Sequence, residues 1–158
     1  MFRPMRRFRQ QLEKEECLEL LRSCPRGVLA CLGDDDYPYT VPLDFWYDEE
    51  KGVLCFHGAK EGHKLDALLR HDKVSFCILD EGERVSGDWT LTFRSVVVFG
   101  RARVIRDRER TLEAARRLGL KYYPDAESVE EEMRKAADSV LCWELVPEHI
   151  TGKRVHEA

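Results

Sequence analysis

Hydrophobic and polar positions change period several times along this 158-residue chain, and each change marks an element. Cys17, Leu20, Leu21 and Cys24 recur at i, i+3, i+4 and i+7, which is one face of a helix. That spacing predicts a helix over 13–23, stopped by Pro25 and Gly27. A short apolar strand follows over 28–32, and the Gly- and Asp-rich stretch 33–36 reads as a hairpin connection. Residues 39–47 then alternate, with Val41, Leu43, Phe45 and Tyr47 on one face and Thr40, Pro42, Asp44 and Trp46 on the other. Pro42 has no N–H to give to a ladder, so this strand has an edge or a bulge there.

After a turn over 48–51, a third strand spans 52–57 and a helix spans 61–71, burying Leu65, Leu68 and Leu69. Val74, Phe76 and Ile78 alternate along a strand over 74–79, and the polar stretch 80–88 reads as a loop. The run 90–105 is too long for an ordinary strand, so it is one bent strand or two, with Gly100 at the bulge. A helix over 107–118 is capped by Asp107, and the chain breaks over 122–125. Ser128 and Glu131 have capping-box spacing and open a helix that runs to Ala137. A final strand over 139–146 is closed by Pro147. Six or seven short strands with short connections favour antiparallel pairing, and closure into a barrel would remove their exposed edges. The expected class is mainly β, a six- to seven-stranded antiparallel barrel with flanking helices, in one domain over 1–158.

Composition narrows the field. Hydrophobic residues make up 43% of the chain, enough for one sizeable core. Lys plus Arg is 26 against 30 for Asp plus Glu, a formal charge of -4, which argues against general nucleic-acid binding. The basic start (Arg3, Arg6, Arg7, Arg9) runs into polar residues with no apolar stretch behind it. It is read as a flexible or partner-covering arm over 1–12, not a signal peptide, and no run has the length of a membrane span. Six cysteines occur without a C-x-x-C pair or histidines at zinc spacing. They read as reduced residues of a cytoplasmic protein, with no metal expected.

The stretch His57–Asp72, HGAKEGHKLDALLRHD, carries the candidate chemistry. It leads from an apolar strand through Gly58 and Gly62 straight into an amphipathic helix, with Lys60, His63 and Lys64 crowded at the helix start. The first amides of a helix are unpaired and the macrodipole is positive there, so added cations make the turn suited to a phosphate monoester. Lys64 is the favoured contact, the alternative being a solvated helix lysine. Asp44 is expected to be exposed or bonded, because an unpaired buried carboxylate is costly. His71 and His149 read as surface residues.

The segments YPYTVPLDFWYD and GVLCFHGAKEGHKLDALLRHDKVSFCI, together with FRSVVVFGRARVI and HITGKRV, resemble the pyridoxamine 5′-phosphate oxidase-like family with its FMN-binding split barrel. The subgroup they are most similar to is the 5-nitroimidazole-resistance flavoproteins. The likeness runs from about Cys24 to Val155. It implies a cytosolic homodimer with flavin at the interface, acting on a small molecule with a separate electron donor. It implies that His57, Gly58, Ala59, His63 and Lys64 meet the cofactor phosphate, and that Pro42, Leu43, Asp44 and Phe45 run beside the isoalloxazine ring. It also implies that Arg94 and Ser95 approach the phosphate or ribityl chain, where the plain reading of Arg94 is an outward strand residue. Trp143 either flanks the flavin across the interface or is a core aromatic, and Thr151, Gly152 and Lys153 lie near the cofactor or the dimer seam.

The expected activity is reduction of a small oxidised molecule such as a nitroaromatic. The flavin supplies the chemistry and no side chain serves as a nucleophile. FAD shares the first phosphate of FMN and stays open as the cofactor. Pyridoxamine 5′-phosphate oxidation and non-enzymatic binding of flavin, deazaflavin or haem are the rival readings. The first of these needs a second phosphate site, for which only Lys153 and Arg154 offer near the C-terminus.

Overall fold

Alternating burial produces strands wherever the sequence alternates. The computed structural model describes residues 1–84, 86–123 and 125–156, so position 85 in the expected loop and position 124 in the expected break lie outside the described residues. The elements are α1 (Lys14–Ser23), β1 (Arg26–Leu32), β2 (Pro38–Asp44), β3 (Trp46–Asp48), β4 (Val53–Gly58), α2 (His63–Arg70), β5 (Lys73–Leu79), β6 (Glu83–Arg84), β7 (Leu91–Val104), α3 (Arg108–Tyr122), α4 (Ala126–Ala136) and β8 (Leu141–His156). All the strands join one antiparallel sheet in the order β2-β1-β5-β7-β8-β4-β3, with β6 appended to β7. The two ends of this path, β2 and β3, are separated only by Phe45. The sheet therefore curls until a single interrupted strand closes it, which is the split-barrel class expected.

Five local expectations are corrected. The single strand over 39–47 is two, because Phe45 leaves the ladder and buries its ring completely among Phe56 and Phe76. The register shift falls at Gly100, as expected, but the extra residue is on β8. Phe99 faces His149 and Gly100 faces Pro147, so Glu148 is the extra residue. Gly100 itself is a point of close approach, since a Cβ there would stand 2.1 Å from the Val146 carbonyl oxygen. Pro147 does not end the last strand, because the bulge carries β8 past it to His156. Finally, α4 begins at Asp125, whose carboxylate accepts from the Ser128 N–H at 2.7 Å, so the cap lies three residues before the expected one. The polar stretch expected to be a loop also carries the short strand β6.

Asp107 caps α3 through the Arg110 N–H at 2.7 Å, although the helix continues to Tyr122. Glu13 and Glu16 form a capping box at α1. Pro42 does lie on an edge strand, paired with Val28 alone. The N-terminal arm is tied down rather than loose. Phe2 stacks on His149 at 4.6 Å, Leu12 is buried, and its N–H donates to the Gly152 carbonyl at 2.9 Å. His149 is accordingly half-buried rather than a surface residue. All six cysteines are free, and among the described residues no helix is long and apolar enough to cross a membrane.

The last turn of α3 fastens the closure point. Lys121 Nζ donates to the carbonyls of Cys24 (2.8 Å) and Phe45 (2.9 Å) and lies 3.8 Å from the centre of the Phe45 ring. The Phe45 N–H donates to Tyr122 Oη at 3.0 Å, and that hydroxyl donates to the Pro25 carbonyl. Burial pulls the Lys121 ammonium down from 10.5 to about 8, against weaker opposing effects of Cys24 and Asp44. Between those two pH values the unfolded chain holds a proton that the folded protein has shed. This lysine's stabilising contribution is therefore complete above pH 10.5 and is lost as pH falls towards 8. We expect the stability of the native protein relative to a Lys121→Met variant to rise by about 1–2 kcal/mol across that window, read from urea midpoints. A flat difference would show that the ammonium is not desolvated.

Candidate functional site

The end of β4 and the start of α2 gather most of the predicted residues. β4 carries four buried residues, Val53 to Phe56, and then emerges at His57 and Gly58. Gly62, with φ of 128°, makes the left-handed step that turns the loop into α2, a conformation only glycine adopts readily. Lys64 in the first turn of α2 folds back over the strand. A Cβ placed on Gly58 would lie 3.5 Å from Lys64 Nζ, so glycine leaves the ammonium room. Lys64 is half-buried and, among the described residues, has no hydrogen-bond or ion-pair partner. Burial holds its pKa below the ordinary lysine range, with the neighbouring Cys31 thiol opposing weakly.

His57 and Asp44 complete this group. The β3–β4 register pairs Trp46 with Cys55, and Asp44, two residues before Trp46, is near enough to His57 to act on its charge. Desolvation lowers the pKa of His57, the Lys64 cation lowers it further, and Asp44 opposes both. The imidazole is exposed at the surface, so the Lys64 cation contributes to this lowering alongside desolvation. Asp44 is bonded, as expected, to Arg26 Nε at 2.7 Å. Ala59 is exposed in the loop. Leu43 packs on the core while Pro42 faces out from the free edge of β2. His63 stacks on Tyr39 with ring centres 4.2 Å apart, and its Nε2 lies 3.7 Å from an oxygen of Asp34. Lys60 donates to the Asp138 carbonyl at 2.7 Å and is already engaged.

Within the chain, four other predicted residues lie elsewhere. Phe45 is in the core, and α3 takes up both its N–H and its carbonyl. Trp143 is also a core aromatic, stacked on Phe56 at 4.1 Å, although its Nε1 has no partner. Arg94 and Ser95 sit near the far end of β7, about 30 Å along the strand from its end at Val104. There Arg94 is held by Asp80, through its backbone N–H at 2.8 Å and its Nε at 2.9 Å. Thr151, Gly152 and Lys153 share that end, with Lys153 facing Ser95 and Gly152 packed on Leu12 and Cys17. Cys31, Asp34 and Tyr39 are the neighbours that sequence reasoning missed. Their positions in a short strand and a hairpin turn gave no chemical signal.

A half-buried cation without a counter-ion, a glycine beneath it and the free amides of a helix start make an anion seat. Among the described residues, no three His, Cys, Asp or Glu converge on a metal position.

Residues 13–154 match the model of the pyridoxamine 5′-phosphate oxidase family. No curated protein matches the sequence. A protein from Bacteroides thetaiotaomicron ascribed to 5-nitroimidazole antibiotic resistance has the same fold, with 19% identity, TM-score 0.77, and 92% of this chain covered by 87% of that one. The conserved protein Rv2991 from Mycobacterium tuberculosis gives 17% identity and TM-score 0.80, covering 95% and 90% of the two chains. An FAD-binding protein from Mycobacterium smegmatis gives 23% identity and TM-score 0.67, covering 94% and 99%. These structures share the barrel. The family match, spanning nearly the whole sequence and including the anion seat, shows that the chain belongs to the pyridoxamine 5′-phosphate oxidase family.

Proposed function

We propose that this protein binds flavin, as FMN, through the seat between β4 and α2, and reduces a small oxidised molecule such as a nitroaromatic. The observation that carries this reading is Lys64, a half-buried ammonium with no counter-ion among the described residues, over a glycine at a helix start. The residues present fit a phosphate monoester. Lys64 supplies the charge, the α2 amides supply donors, and Gly58 keeps the space open. His57, whose pKa burial and the Lys64 cation lower, offers a ring nitrogen for one hydrogen bond. β2 is paired on one side only, so alternate backbone groups around Leu43 remain free for the polar edge of a planar ring, while Arg26 keeps Asp44 from opposing the ligand as a free anion. When bound, the flavin ring supplies the hydride or electron transfer.

The proposal includes a homodimer. Cross-strand rows Pro42–Val28–Cys77–Val97–Thr151 and Thr40–Ala30–Ser75–Phe99–His149 run over the outer face of five strands. Among the described residues no helix covers this face, although Phe2 reaches one corner of it, and Leu79 beside it is 54% exposed. A second copy would bury this face. Pyridoxamine 5′-phosphate oxidation fits less well, because Arg94, the cation best shaped for a second phosphate, is committed to Asp80.

The full chain, purified and examined by absorbance, by size exclusion with light scattering and by mass spectrometry of the released cofactor, is expected to be a yellow dimer that yields FMN. A colourless protein that takes up no added flavin, or one with a Soret band, overturns the reading. Turnover of a 5-nitroimidazole with a reduced nicotinamide tests the nitroaromatic part, and absence of turnover by the loaded protein removes that part alone.

A further inference from the structure

We infer that the acidic tip of the β1–β2 hairpin, Asp34–Asp36, restricts the seat to a ligand ending in one phosphate and disfavours a diphosphate that continues outward. This inference rests on the flavin reading above. The tip lies against α2: one oxygen of Asp34 is 3.0 Å from Arg70 Nη2 and the other is 3.7 Å from His63 Nε2. A single carboxylate thus engages side chains from the first and last turns of the helix. Asp35 and Asp36 follow with φ of 53° and 61°, both exposed, and neither has a side-chain partner among the described residues.

Backbone geometry does not explain the charge. Two successive left-handed residues are served as well by Asn or Gly, which share or exceed the tolerance of Asp for that region. Three aspartates there add negative charge that the turn does not need, and Glu61 and Asp66 extend it around the start of α2. Cation and anion are therefore sorted by depth. Lys64 is half-buried over Gly58, Asp35 and Asp36 are exposed on the hairpin that touches α2 through Asp34, and Lys60 is engaged by the Asp138 carbonyl.

A monoester puts its whole charge in the seat. A dinucleotide such as FAD would divide its charge between two phosphates, and the second would extend beyond the seat, into the field of the exposed aspartates. Coulomb repulsion at these ranges in water, reduced by salt, amounts to about a three- to tenfold loss of affinity.

The test is calorimetric titration of the flavin-stripped full chain with FMN and with FAD, at low and high salt. The native protein is expected to favour FMN by about tenfold or more. Asp35→Asn/Asp36→Asn keeps the turn and removes two charges. It should bring FAD closer to FMN by about three- to tenfold at low salt, with little effect at high salt. An unchanged ratio with FMN still bound overturns the role of the rim and leaves the seat standing. Equal binding of the two flavins by the native protein also overturns it. Failure of both flavins to bind removes the seat, and this inference with it.

Discussion

Replacing Lys64 with Met is expected to cut flavin affinity by about 30- to 150-fold while leaving the fold as stable as before or slightly more so. The two effects have one cause. The ammonium sits half-buried with no acidic partner, and burial drives its pKa below the ordinary lysine value. The folded chain therefore holds this proton less tightly than the unfolded chain. The contribution of Lys64 to stability is complete only above its ordinary pKa and is lost as pH falls through the folded one. At neutral pH the cation is a cost to the empty protein, and methionine fills similar space without it. A bound phosphate supplies the missing anion, and a charge-assisted hydrogen bond to it contributes about 2–3 kcal/mol. Lys64→Arg keeps the charge and should recover most of the affinity.

Flavin fluorescence titration and a thermal melt on the same samples separate this from a structural role. A lysine that merely packed α2 onto β4 would lower the melting temperature and leave affinity alone. Unchanged affinity in Lys64→Met would remove the residue from the site.

The placement of Lys64 over the strand end was legible in the sequence because its signal is local. A strand end, a glycine turn and a helix start lie within eight residues, and nearest-neighbour geometry fixes where a first-turn side chain can reach. The barrel was legible for a similar reason, since a period of two reports a strand whatever it pairs with. What stayed hidden depends on contacts distant in sequence. Phe45 continues the alternation of its neighbours without a break, and only the hydroxyl of Tyr122, 77 residues away, shows that it leaves the ladder. Pro147 looks like a terminator until the register with β7 reveals Glu148 as an extra residue that absorbs it.

The site divides along the same line. Arg94 has the right chemistry for phosphate, but Asp80 already occupies it, and a sequence does not show which charge is taken. Asp34 reads as turn chemistry alone, yet the hairpin brings it within reach of both His63 and Arg70. Trp143 carried two readings, and the stacking on Phe56 in the core satisfies the plainer one.

The largest loss of stability is expected from Arg110→Met, about 3–5 kcal/mol and a fall of roughly 10 °C in melting temperature. Arg110 rises from the first turn of α3 into the gap between the helix and strands β4 and β8, where Val53, Cys55, Ala114 and Cys142 form a second small core. Its Nη2 lies 2.7 Å from Asp48 Oδ2 and 3.7 Å from Glu144 Oε2, and it donates to Cys55 Sγ at 3.4 Å. Asp48 and Glu144 are 4% and 6% exposed, so neither carboxylate can turn to water when the arginine is gone. Lys51 stands 3.8 Å from Asp48, and Arg103 pairs with Glu144 from the surface side, but both are largely exposed and screen the buried charge only in part. The same cluster holds the Cys55 thiol up at about 12, because burial outweighs the pull of Arg110. Removing one partner of a buried ion pair costs far more than removing the whole pair. The triple variant Arg110→Met, Asp48→Asn, Glu144→Gln should therefore regain much of what Arg110→Met loses. Chemical denaturation of the three proteins distinguishes the two cases. A triple variant no more stable than the single one would mean that Arg110 acts through packing against Trp46, 5.8 Å from its guanidinium, rather than through charge.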